Sequence, residues 1–369
     1  MEVLSGLIKQ TLLNNSDYKP LQFRLSNEDD KIRFHQLLAR NEIAFVHDEI
    51  QSQLKELAKC NRPSQNLTPQ ELESIALSHI GNSNINEYGV WVYYPWSKTL
   101  VHLLDKDEFV TVRTNRNKNK ITTEEQQELN TKTIAIIGLS VGHSIALTIA
   151  TERICGALRL ADFDELELSN LNRIRSGVKN IALPKVVIAA REIAELDPYL
   201  DVEIYATGTT RENLQDFLSS STKADILVEV CDGLDMKIEA RIKAKQLGIP
   251  VVMDTNDRGM LDIERFDLQP ERPILHGLID NVDFTNLKQQ TPQERMQLIM
   301  KIISVETISQ RLKNSIPALN KTINALPQLA SSVMLGGAVT TDVCRRILLN
   351  QLNCSGRFFV DFDQLVSDL

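Results

Sequence analysis

Apolar and polar residues alternate in two different rhythms along this chain. Leu4, Leu7, Ile8 and Leu12 recur at helical spacing, so the first residues read as an amphipathic helix rather than a cleaved leader. Residues 28–57 are rich in helix formers, and Thr68-Pro69-Gln70-Glu71 is a capping box that opens a helix through Leu77. The rhythm then shortens. Residues 90–94, 99–104 and 109–112 are strand-like runs, divided by Pro95-Trp96-Ser97 and Asp105-Lys106-Asp107. The basic, polar stretch RTNRNKNK at 113–120 marks a boundary. It separates an N-terminal helical and β-hairpin domain, residues 1–112, from a second domain, residues 113–369.

From Thr133 onward, apolar runs at 134–137, 158–161, 202–205, 226–230 and 251–253 alternate with helical patterns at 141–153, 184–196, 211–219 and 236–247. Buried, non-alternating strands, each followed by a helix, predict a doubly wound, mostly parallel α/β sheet of Rossmann-like form. A second capping box, Thr291-Pro292-Gln293-Glu294, predicts a helix to about residue 312. A further helix is expected over 330–352 and a closing strand over 357–360.

Composition narrows the class of protein. A net charge of −8 argues against a general nucleic-acid binder, and no apolar run is long enough to span a membrane. The simplest location is cytoplasmic. The five cysteines include no C-x-x-C pair, so no zinc site is expected.

The chemistry gathers at GLSVGHS, residues 138–144, between the first of these strands and a helix. As G-x-S-x-G it could expose a nucleophilic Ser140, with His276 the histidine available further along. As a dinucleotide loop it keeps Gly138 but has Ser140 and His143 where glycines are usual. The next strand decides between them. It ends in ADFDELELSNLNR, placing Asp162 where a nucleotide fold presents an acid to ribose hydroxyls. A hydrolase has no use for that run.

ADFDELELSNLNR also resembles the signature of the ThiF-type, ubiquitin-activating-enzyme-like adenylyltransferases, over about residues 113–280 and more weakly over 325–365. The resemblance implies a Mg-ATP-dependent enzyme that adenylates a carboxylate. That carboxylate would be the C-terminus of a ubiquitin-like or sulfur-carrier protein, a peptide, or a small molecule. It implies a nucleotide site of Gly138, Ser140, Gly142, Asp162, Asp164, Asn170, Arg173, Lys185 and Gly233. It implies catalytic roles for Arg116, Arg173, Lys185 and Asp232, with Asp232 the magnesium ligand and Asp235 its rival. Arg116, in Arg113-Thr114-Asn115-Arg116, would act across a homodimer. The chemistry agrees: attack at an α-phosphorus needs cations and a metal rather than an acid–base pair. A tRNA-nucleoside cyclodehydratase of the same family is an alternative. So are an NAD-dependent oxidoreductase and a non-catalytic nucleotide-binding partner.

Overall fold

The structure is a computed structural model that describes residues 16–280 and 291–367. The helix expected around Leu4–Leu12 lies outside the described residues. Two compact units make up the chain. The first runs to Thr123 and takes in Asp197–Tyr199; the second takes Glu124–Leu196 and continues from Leu200.

The first unit holds a four-stranded sheet of β1 (Leu21–Phe23), β2 (Phe45–Asp48), β3 (Val90–Tyr94) and β4 (Thr99–Leu103), in the order β1-β3-β4-β2. Residues 28–57 are not one helical stretch. Helices α1 (Glu28–Ala39) and α2 (Ile50–Asn61) flank the edge strand β2. Helix α3 (Pro69–Ile80) opens on the expected box, with Thr68 and Glu71 bonded reciprocally. The run at 109–112 is helical, within α4 (Lys106–Arg113). The Asp105 side chain accepts the Lys106 N–H, and Asp107 and Glu108 occupy the first turn, which outweighs the β-branched residues that suggested a strand.

The second unit is a seven-stranded sheet. Its strands are β5 (Thr133–Ile137), β6 (Ala157–Ala161), β7 (Asp201–Tyr205), β8 (Ile226–Glu229), β9 (Val251–Thr255), β10 (Met260–Glu264) and β11 (Gly356–Phe359). They lie in the order β11-β10-β9-β8-β5-β6-β7. From β7 to β9 every pairing is parallel, while β10 and β11 add an antiparallel edge. All five residues of β5 are buried, and sealing each isoleucine there contributes roughly 1.5–3 kcal/mol. Helices α5 (Gly142–Glu152), α6 (Lys185–Leu196), α7 (Leu214–Ser219) and α8 (Leu234–Leu247) follow their strands as the alternation requires.

Two boundaries differ from expectation. The helix opened by Thr291 stops at Ile302 as α9 (Pro292–Ile302), because Ser304 turns left-handed at φ 52°, and α10 (Gln310–Ser315) begins anew. The last long helix, α11 (Ala330–Leu348), ends before residue 352. Strand order reverses between β5 and β8, and that switch point opens the crevice in which such sheets bind ligands.

Candidate functional site

Gly138 leaves β5 at φ +92°, a conformation that L side chains rarely adopt. A Cβ there would lie 2.9 Å from the Cα and backbone nitrogen of Cys231, so the loops after β5 and β8 touch at the switch point. Gly142 opens α5 against Ile136 and Val230, each within 3.1 Å of where its Cβ would stand. Asp162, just past β6, ties the Gly138 loop in place. Its Oδ2 accepts the Leu139 N–H at 2.5 Å, and its Oδ1 accepts the Asp164 N–H at 2.7 Å. Burial raises its carboxyl above the ordinary value, and those two N–H donors oppose the rise.

The SNLNR run folds as a short 3-10 turn over Leu168–Asn172. Buried Asn170 braces it, accepting the Glu167 N–H at 3.0 Å. Arg173 then reaches back to the first loop, donating through Nε to Ser140 Oγ at 3.1 Å and through Nη1 to Asn172 Oδ1 at 2.9 Å. Burial pushes its guanidinium below the ordinary value, against the pull of the Asp232 and Glu167 charges. Lys185 heads α6 and is buried, its Nζ 2.7 Å from Asp164 Oδ2. That ion pair explains a lysine at the positive end of a helix dipole.

Asp232 and Gly233 are exposed on the turn between β8 and α8. Asp235, the rival ligand, is engaged by Arg295 of α9 at 3.0 Å. Among the described residues, no group of three or more His, Cys, Asp or Glu side chains is arranged to hold a metal by itself. Magnesium does not require one. It keeps waters and is commonly held by one or two carboxylates together with substrate phosphates, a demand Asp232 can meet.

Ser140 therefore faces an arginine, not a histidine. His276 is occupied elsewhere, with Nε2 2.9 Å from Asp262 and Nδ1 receiving Arg272 at 2.7 Å, so it is not the base that the nucleophile reading of GLSVGHS needs. Arg116 belongs to the first unit, in the short turn Asn115–Asn117. The other expected residues, from Gly138 to Gly233, all lie in the second.

Sequence reasoning missed several contacts around these loops, including the partners of Glu229. Glu229, Lys237 and Arg241 form a buried ion cluster beneath the Asp232 turn. The four-residue step between Lys237 and Arg241 was the available signal. Gln328 bridges two loops: its carbonyl accepts from Asn172 at 2.8 Å and its Oε1 from Asn256 at 3.3 Å. Nothing local in the sequence marks that contact.

Residues 114–255 match the model of the ThiF family, and the chain is of ThiF type over that stretch. The uncharacterised protein MT1398 of Mycobacterium tuberculosis is 43% identical over 271 residues, which is 73% of this chain. This chain spans only 38% of that relative's length. The tRNA threonylcarbamoyladenosine dehydratase of Bacillus subtilis is 22% identical across 64% of this chain and 96% of its own. Among solved structures, the E. coli dehydratase TcdA is 17% identical with a TM-score of 0.47, covering 67% of this chain and 97% of its own.

Proposed function

We propose that this protein binds Mg-ATP at the Gly138 loop and adenylates a carboxylate. The observation that carries the reading is the join of three loops at one strand-order reversal. Asp162 grips the Gly138 loop, Arg173 reaches Ser140, and the Asp232 turn packs against Gly138. The Asp162 carboxylate has lone pairs beyond the two it uses and can accept ribose hydroxyls. Backbone N–H groups at the start of α5 face the phosphates, as helix N-termini do. Arg173 offers a fork and Lys185 a point charge to the α-phosphate and departing pyrophosphate. The substrate carboxylate oxygen bonds to the α-phosphorus as its bond to the bridging oxygen breaks. Asp232 would hold magnesium, which would supply charge neutralisation at the phosphates.

Burial raises the Cys231 thiol far above its ordinary range. A direct attack on the anhydride by the incoming nucleophile suits such a site better than an enzyme thioester.

Calorimetry tests the assignment. Mg-ATP should bind and NAD should not, and Asp232→Ala should lose the magnesium-dependent part of ATP affinity while Asp235→Ala keeps it. Micromolar NAD binding without ATP binding overturns the reading. A tRNA-nucleoside cyclodehydratase is the second reading, favoured by the match across nearly the full length of the B. subtilis dehydratase. ATP-dependent loss of one water from a threonylcarbamoyladenosine-bearing tRNA would establish it. The net charge of −8 weighs against it.

A further inference from the structure

Glu229 is the last residue of β8, and its side chain is wholly buried where the strand becomes the Asp232 turn. A buried carboxylate is tolerated only when its lone pairs and its charge are both met. Here both are. Oε1 accepts the Cys231 N–H at 3.0 Å, Lys237 Nζ lies 2.9 Å from each oxygen, and Arg241 Nη1 bonds Oε2. Burial pushes this carboxyl upward, but Lys237 and then Arg241 outweigh it and bring it to about 2, so it stays ionised.

The geometry of these bonds matters more than their number. Cys231 and Gly233 flank Asp232 on either side. The Cys231 N–H fixes the near end of the turn to Glu229. At the far end, Lys237 N–H donates to the Gly233 carbonyl at 2.9 Å, while the same residue's ammonium returns to Glu229. The turn is thus tied at both ends to one carboxylate. Arg241, one turn further along α8, also bonds Glu264 of β10 at 2.6 Å, which anchors the assembly to the next strands. The two cations also cancel the Glu229 charge, so it does not repel phosphates approaching the crevice.

We propose that Glu229 and Lys237 form a buried clamp that positions Asp232 for its metal and the triphosphate, making both positioning residues of the site; this rests on the Mg-ATP reading above.

The test measures ATP affinity of the full chain by calorimetry, in EDTA and in excess magnesium. Lys237→Met should fold, since Glu229 keeps Arg241. It should lose the magnesium-dependent gain in ATP affinity by about 10–100-fold, the range for groups behind a metal ligand, while affinity in EDTA stays within about twofold. Lys237→Arg, which keeps the charge and its donors, should restore most of the gain. Should Lys237→Met unfold, the pair Glu229→Gln with Lys237→Met, which leaves Arg241 on Glu264, should show the same selective loss. Folded variants with unchanged magnesium dependence overturn the clamp and leave the Mg-ATP reading standing. An equal loss in EDTA also overturns it, because that marks a general structural role. Wild-type chain that binds ATP equally with and without magnesium overturns both.

Discussion

Asp254, on β9, carries a carboxyl oxygen, Oδ2, that is buried and has no hydrogen-bond partner among the described residues. It lies against Gly336 of α11, where a Cβ would come within 2.1 Å of it. Burial lifts this carboxyl to about 7. The native state therefore holds a proton that the unfolded chain releases near its ordinary value of 3.8. With the folded value raised, stability is fully present below the unfolded value and falls as pH rises towards about 7. Asp254→Asn should flatten that slope, and at pH 8 it should exceed the wild type by on the order of 2–4 kcal/mol. Denaturant titrations at pH 5 and pH 8 check it; parallel slopes in both proteins refute it. At this scale the sequence was informative where a polar residue broke an apolar run at a strand end. Asp162 stood out for that reason, and Asp232 through the family resemblance. The roles of Glu229 and Asp254 were not legible, because they depend on Lys237, Arg241 and Gly336, which fold onto them from other elements.

Elements were legible where one period ruled. β5, β6, β8 and β9 were read correctly because each is an apolar run with at most one charged residue. β10 was missed because Asp262 and Glu264 interrupt the pattern, yet all five of its residues are buried. Their charges are met by His276 and Arg357 for Asp262 and by Arg241 for Glu264. In α4 the cap at Asp105 overrode strand propensity, and α9 stops because Ser304 enters the left-handed region. The box at α3 is local enough to weigh in isolation. Thr68→Ala removes one side of the reciprocal pair and should cost about 1 kcal/mol. Chemical denaturation followed by helical circular dichroism measures it, and a cost near zero would show that Glu71 alone suffices.

For the whole molecule, sequence pattern conveyed the sheet of the second unit far better than the arrangement of the first, where helices separate the short β1 and β2 from the β3–β4 hairpin. The crossover between β10 and α11 was opaque for a related reason. Its contacts, such as Asp235 with Arg295 and Asp257 with Ser309, join residues more than fifty positions apart. The expected homodimer with a shared Arg116 remains a proposal that mixing can decide. Arg116→Ala and Asp232→Ala subunits, each inactive alone, should regain about a quarter to half of wild-type pyrophosphate exchange once subunits have exchanged. No recovery, with exchange demonstrated, removes Arg116 from its partner's site.

The contact of Gly138 with the Cys231 backbone also constrains how this chain can change over generations. Residues 138–142 and 230–233 behave as one heritable unit, since neither loop can gain bulk or length unless the other yields. Gly138→Ala should be severely disabling, and Cys231→Gly, which frees the backbone it would strike, should be mild. Together they should be less damaging than their sum, by roughly 0.5–3 kcal/mol in a double-mutant cycle. Additive losses would mean that the two loops drift independently. Otherwise, altering the nucleotide preference of this protein calls for libraries that vary both loops at once.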